Sequence, residues 1–463
     1  MNENDRTTSH TRAVAALVFA LVALNTSIAA AQRAAPLSPQ KLRLSLGDAA
    51  RLAARQSAGV QGAEQRAVEA RARVTQSRAA LLPDLSANVL QSGRSFNTIT
   101  FGIQFPAPPG QPPLFNPEGQ VIGPVRTLDL RGRVQANLFD YSALERVHSA
   151  QAAAGAARAD VTTASELAAT QAAAAYLRTL RSDAQVQARV ADSTLASELL
   201  SIAQSQLRAG VGVGLDVTRA QSQLADIRAQ LISARSARER SRLDLKRALN
   251  LPFDADIELT DSLSSAEPTD LTLEPEAATA RALRDRPDLR ASEEQLRAAR
   301  QTVSAIRAER LPTVSAFGDD GVIGKDASRL LPTYTYGIQL SVPIFDGFRR
   351  EGRIEEQQAV ARELEVRRRD LEQQASLEVR GALLDLVAAR DEVQAMRERI
   401  RLAEQEVAQA RERFRAGVAG NADVVTASIS LNSARSQYVD ALTALQTARV
   451  SLARAEGAVT QLR

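Results

Sequence analysis

The chain has 463 residues, 44 % apolar and only 3 % aromatic, with no tryptophan and no cysteine. That composition excludes a disulfide framework and a lipid carried on an N-terminal cysteine. It also suits a thick globular core poorly, whereas frequent alanine suits helices packed closely through small residues. The 58 basic and 54 acidic residues leave a net charge of +4, and every basic residue except Lys41, Lys246 and Lys325 is arginine. Acids and bases alternate, as in Arg397-Glu398-Arg399 and Arg411-Glu412-Arg413, so they read as solvated helix faces and not as a nucleic-acid patch.

In chain order, Arg6 and Arg12 precede an apolar run from Ala13 to Leu24, and small residues lead to Ala29-Ala30-Ala31. A run of about 12 residues is too short to span a bilayer and fits a secretory signal, so residues 1–31 are expected to be a signal peptide and the mature chain to lie outside the cytoplasm. No other segment approaches about 18 consecutive apolar residues, so entry into a membrane would have to be as a β-barrel.

A helix is expected from about Ser45 to Leu82, stopped by Pro83. Period-2 alternation then marks strands at about 84–105, with Ile99, Phe101, Ile103 and Phe105 on one face, and at about 126–139. The segment Pro106 to Pro124 reads as their loop. After Asp140 the stretch from Ala156 to Ala209 contains neither Gly nor Pro, a helix of about 80 Å at about 1.5 Å per residue. A sharp turn at Gly210 and a returning helix follow.

The pattern then repeats. Leu82-Pro83-Asp84-Leu85-Ser86-Ala87 returns as Leu311-Pro312-Thr313-Val314-Ser315-Ala316, and Leu138-Phe139-Asp140 as Ile344-Phe345-Asp346. Leu207-Arg208-Ala209-Gly210-Val211 returns as Phe414-Arg415-Ala416-Gly417-Val418, with Asp216-Val217 in step with Asp423-Val424. Landmarks in one order at an offset of about 200 residues argue for duplication, with repeats at 32–252 and 253–463. Strands of the second repeat are expected at about 313–322 and 333–345, with a loop from Asp319 to Pro332. The last helix carries a heptad, Leu431, Tyr438, Leu445 and Leu452 with Ala434, Ala441, Ala448 and Ala455, which makes a narrow knobs-into-holes seam. The first repeat keeps much of it in Leu224, Ile227, Leu231, Ala234, Leu245 and Ala248. An ordinary antiparallel coiled coil would explain the seam alone, and two soluble hairpins capping it would explain the strands. Against the latter, the helix seams are already used by each other, leaving no core for an apolar sheet face. Four strands cannot close a membrane barrel, so strands in lipid require two, three or four copies.

This duplicated layout, the Val342-Pro343-Ile344-Phe345-Asp346-Gly347 junction and the two Arg-Ala-Gly-Val turns followed by Asp-Val resemble the TolC-like outer membrane efflux proteins, from about Leu42 to the end. The resemblance implies a mainly α chain with a transmembrane β portion. Three copies would form a twelve-stranded barrel in the outer membrane, continued by a twelve-helix α-barrel in the periplasm. It implies an exit duct for tripartite efflux or type I secretion that contacts a periplasmic adaptor and, indirectly, an inner-membrane transporter. The turns at Arg208, Gly210, Val211, Arg415, Gly417 and Val418 are similar to adaptor-docking tips, and Asp216 and Asp423 to a carboxylate ring at the pore constriction. Where relatives place a second aspartate one helical turn later, this chain has Arg219 and Thr426. Capping of helix ends is the ordinary role for the glycines and aspartates. His10 and His148 are the only histidines; no catalytic residues, metal ligands or cofactor are expected. A periplasmic coiled-coil adaptor or scaffold is the other reading, though an adaptor would show one hairpin flanked by soluble β-domains and not two helix-strand copies.

Overall fold

The computed structural model describes residues 41–101, 110, 118–263 and 274–462; the expected signal peptide and most of the first loop lie outside them. From Arg43 onward the chain forms one compact unit. It is mainly helical, with a four-stranded antiparallel sheet and a short two-stranded sheet that pairs Leu42–Leu44 with Ile257–Leu259.

The expected first helix is two. α1 (Leu46–Gln56) and α2 (Ala58–Ala79) are separated at Ser57, whose extended backbone ends one helix while its hydroxyl caps the next at the Val60 amide. α1 begins with a capping box between Ser45 and Asp48. Strand β1 (Asp84–Asn97) pairs antiparallel with β2 (Val121–Phe139). The alternation expected to continue past Asn97 does not: Thr98–Phe101 forms a 3-10 turn, and Ile103 and Phe105 lie outside the described residues. α3 (Tyr141–Arg208) is 68 residues long, about 100 Å at 1.5 Å per residue, and α4 (Gly214–Ala248) returns along its distal half. Asp140 caps α3, accepting from the Ala143 amide at 2.9 Å.

α5 (Pro275–Asp285) and α6 (Pro287–Ala308) repeat the kinked pair, with the break at Arg286 and a proline opening each helix. Strands β3 (Thr313–Gly324) and β4 (Leu330–Ser341) complete the sheet in the order β1-β2-β3-β4. The expected loop from Asp319 is therefore shorter. Asp319 and Asp320 stay in the ladder, and Gly321 permits a close approach, since a Cβ there would sit 2.2 Å from the Leu130 carbonyl. α7 (Arg349–Arg415) has 67 residues, and α8 (Asn421–Glu456) returns along it.

Each return helix ends against a kink. Asn250, after α4, donates to the Gln56 carbonyl at 3.0 Å while Gln56 donates to the Leu249 carbonyl at 2.7 Å. The end of α8 meets the other kink: Gly457 is left-handed at φ 74°, and a Cβ there would crowd Arg286 at 3.1 Å and Pro287 at 3.2 Å. Packing relies on alanine, as Ala49, Ala50, Ala53, Ala169, Ala172 and Ala173 have no exposed surface. On α8 the heptad residues Leu431, Ala434, Ala441, Leu445, Ala448 and Ala455 are buried. One polar cluster is buried near α1, where Tyr176 donates to the Leu44 carbonyl at 2.9 Å and to Asp261 at 3.1 Å. Burial and the Asp261 carboxylate push the phenol well above its ordinary value, so it remains a neutral donor.

Candidate functional site

Two regions of the described chain present chemistry outward: the sheet and the ends of the helical hairpins. Directly paired residues share a face, so the register places Leu85, Val89, Leu130, Val134, Tyr336 and Ile338 on one side. That side is mainly apolar and uncovered in the single chain; Gln91, Arg126 and Asp320 interrupt it toward the loop end. On the opposite side Arg131 bonds Asp129 at 3.2 Å, Asp319, and Thr333 at 3.3 Å, tying β2, β3 and β4 together. Phe317 lies there over Gly337, where a Cβ would meet the ring at 2.8 Å. Among the described residues both outer strands, β1 and β4, have a free edge.

At the hairpin ends the two turns are built alike. Gly210 and Gly417 take φ of 75° and 73°. The Val211 amide bonds the Gln206 carbonyl at 3.1 Å and the Gly210 amide bonds Leu207 at 3.1 Å; Val418 to Arg413 and Gly417 to Phe414, both at 3.0 Å, repeat the pattern. This is a Schellman closure, which needs a residue free to adopt positive φ. It lifts Val211 and Val418 into solvent, 80 % and 73 % exposed. Arg208 is exposed and bonds only within its own last turn, to Gln204 and Ser205. Arg415 is engaged, pairing with Glu198 at 3.2 Å and Glu412 at 3.3 Å.

Asp216 lies in the first turn of α4, half-buried, with Arg219 at 3.9 Å. Asp423 lies in the first turn of α8 and is exposed. The structure joins the two hairpins through residues that periodicity does not single out. Gln206 donates to the Phe414 carbonyl at 2.7 Å, Asn421 to the Asp216 carbonyl at 2.8 Å, and Glu198 bridges Arg411 and Arg415. Asn421 is fully buried and its Oδ1 finds no partner, a cost accepted for the clasp its nitrogen makes. Beneath these bonds Leu199, Ala203, Ala220, Phe414 and Val424 form one apolar cluster. The one visible signal is the spacing of Arg411 and Arg415, four apart on one helix face and able to grip a single carboxylate. Among the described residues no group of acids and histidines is arranged to hold a metal ion.

A sequence profile of the outer membrane efflux protein family matches residues 49–251 and 279–458, well over half of the chain and both sets of long helices. The chain belongs to the outer membrane efflux protein family. Membership places it in the outer membrane, and it favours the channel over the adaptor or scaffold. Among curated family members, the solvent efflux pump outer membrane protein SrpC of Pseudomonas putida is 29 % identical over 170 residues, 35 % of this chain and 35 % of that protein. The probable efflux pump outer membrane protein SepC of Pseudomonas putida is 30 % identical over 196 residues, 39 % of this chain and 38 % of that protein. These matches thus span little more than a third of the relatives' own length. Family folds of known structure extend over nearly everything. The CmeC outer membrane channel of Campylobacter jejuni superposes with a TM-score of 0.73 at 17 % identity, covering 94 % of each chain. The outer membrane protein VceC of Vibrio cholerae does so with 0.70 at 19 %, covering 89 % of this chain and 96 % of its own.

Proposed function

We propose that the chain is one protomer of a homotrimeric outer-membrane exit duct that passively conducts small molecules outward in a tripartite efflux system. The observation that carries this reading is the open four-stranded sheet, with an exposed apolar face, a polar opposite face and two free edges, borne on helices of about 100 Å. Three copies joined edge to edge would give a closed twelve-stranded barrel with apolar residues toward lipid and the Arg131 cluster toward the lumen. The long helices would continue it as a twelve-helix periplasmic barrel. In this reading the chain is a duplicated unit, with repeats at 32–252 and 253–463 behind a signal peptide at 1–31. The curated relatives' printed role in efflux pumps favours efflux over type I secretion.

The hairpin ends would meet a periplasmic adaptor through Arg208, Gly210, Val211, Arg415, Gly417 and Val418, and Asp216 and Asp423 would line the constriction. The near-identical turns support that assignment, because one adaptor motif could dock on both. An inner-membrane transporter, reached through the adaptor, would supply the energy. The test is envelope fractionation followed by a mild gel of unheated outer membrane. A heat-sensitive band at three times the mass of the mature protomer is expected; a monomer in the soluble periplasm would refute the duct.

A further inference from the structure

The helices next to the sheet enclose a cleft that the duct reading leaves unused. α2, α3, α6 and α7 pack in that order as one layer. α3 forms the floor of the cleft, α2 and α6 form its walls, and Arg353 reaches it from α7, one helix further on. Walls on both sides of one floor helix mark the concave side of the layer. The space measures about 610 Å³, within the range of about 300 to 1,000 Å³ that small-molecule sites occupy.

The sequence makes the floor smooth in the middle and charged at both ends. Arg146, Ala150, Ala153, Ala157 and Asp160 follow at steps of four and three, so they share one face of α3 over about 21 Å. Ala70 of α2 and Ala305 of α6 add further methyl groups from the walls.

The two ends differ. Near the sheet every charge is engaged: Arg146 pairs with Asp140 at 3.3 Å and with Glu309 at 3.7 Å, and Arg353 pairs with Glu309 at 2.8 Å. On the α2 wall Arg73 pairs with Glu69 at 2.6 Å. At the far end Asp160 is half-buried and Arg66 exposed, and neither makes an ion pair or a side-chain hydrogen bond among the described residues. Burial pushes the Asp160 carboxyl up, and Arg66 is close enough to offset part of that without touching it. The hydration that Asp160 loses is thus replaced by nothing in the chain. A cation placed on Asp160 and an anion placed on Arg66 would satisfy both. A ligand with a single charge would meet one of the two as a like charge.

We propose that this cleft binds a zwitterionic amphiphile, with its ammonium on Asp160, its anion on Arg66 and its apolar body along the alanine floor. The site lies within one chain. Only its orientation rests on the duct reading: in a closed barrel the concave side of the helix layer faces the axis, so the cleft would hold cargo on the wall of the passage.

Three probes that share one fluorophore and differ in charge test it: ε-dansyl-lysine is zwitterionic, dansylcadaverine cationic and dansylglycine anionic. Each is titrated into the full chain in a non-ionic maltoside detergent, and the rise in dansyl emission is read against detergent alone. The expected result is saturable binding of dansyl-lysine, about ten-fold tighter than that of either singly charged probe. Asp160→Asn should weaken dansyl-lysine about ten-fold without weakening dansylglycine, and Arg66→Gln should weaken it as much without weakening dansylcadaverine. Ala153→Phe fills the floor and should abolish saturable binding of all three while leaving far-UV ellipticity unchanged. Equal affinity for the three probes, equal losses for all three in the Asp160 and Arg66 variants, or binding that survives Ala153→Phe would each overturn the proposal. An unheated gel of the same samples separates the two readings. Selective binding by a chain that never trimerises would keep the site and refute the duct, whereas a heat-sensitive trimer without saturable binding would refute the site and leave the duct standing.

Discussion

Asp192 is the deepest charge on α3, with 1 % of its surface exposed. It accepts from Arg435 of α8 at 2.8 Å and from Arg189 at 3.1 Å, and with the Asn432 amide nitrogen turned toward it a third bond forms at 2.8 Å. The node therefore pins the first long helix to the last one. Arg435→Leu would leave a fully enclosed carboxylate with Arg189 and Asn432 alone. Breaking one partner of a buried pair costs about 3 to 5 kcal/mol, and the surviving Arg189 places this case near the low end, about 3 kcal/mol. That is about two decades in the folding equilibrium. Asp192→Ala strands two guanidinium groups that still reach solvent, so its cost should be smaller, about 2 kcal/mol. The double variant should cost less than the sum by about 1 kcal/mol or more, since both changes remove one contact. Guanidinium unfolding of the detergent-solubilised chain, followed by far-UV ellipticity, reads all three. Single-variant losses below about 1 kcal/mol, or strict additivity, would refute the claim that this node joins the helices.

At the turns, Gly210→Ala and Gly417→Ala meet no steric obstacle but must hold φ above 70°. Each should cost about 1 kcal/mol locally, and crosslinking of the variants to a periplasmic adaptor should weaken while assembly persists; unaltered crosslinking would separate the turns from docking. Burial pushes the Glu378 carboxyl up, but hydrogen bonds from Gln374 and Arg286 outweigh it and hold it below the ordinary glutamate value. A carboxyl depressed in the folded state contributes stability above its unfolded pKa of about 4.3 and loses it as pH falls through the lower folded value. Glu378→Gln should therefore be less stable at pH 7 and flatten the acid limb below about pH 4.3, as acid unfolding would show. Arg131→Ala leaves Asp129 and Asp319 facing each other without their shared cation, so the assembly should dissociate at lower temperature on unheated-to-heated gel series. Arg131→Lys should rescue it only in part, because an ammonium cannot fork between two carboxylates.

Long, periodic elements were the most legible in the sequence. An uninterrupted run without Gly or Pro left α3 no alternative to helix, and Leu431, Ala434 and Leu445 announced their seam by spacing alone. Boundaries were harder where a local device competed with the pattern. Ser57 breaks the first helix by extending its own backbone and capping the next, and a serine among alanines gives little warning of that. Asp319 and Asp320 fell where an expected strand and an expected loop overlapped, because acids and glycines are poor strand formers. They remain in the strand because Arg131, distant in sequence, meets Asp319 across the ladder. At the hairpin ends the glycines could be read directly, since the turn needs positive φ. Glu198, Gln206 and Asn421 could not, because their partners are carbonyls and arginines on the other hairpin.

The two free edges of the sheet bear on the life history of the protein. Every second residue of β1 and of β4 turns its backbone amide and carbonyl away from the ladder, over strands of 14 and 12 residues. In hydrocarbon each unsatisfied group costs several kcal/mol, so a lone chain placed across a bilayer would be opposed by tens of kcal/mol. No membrane-inserted monomer is thermodynamically accessible. On the duct reading, insertion and association would then happen as one event, and an exported chain would have to stay in water, with its apolar face shielded, until its neighbours arrive.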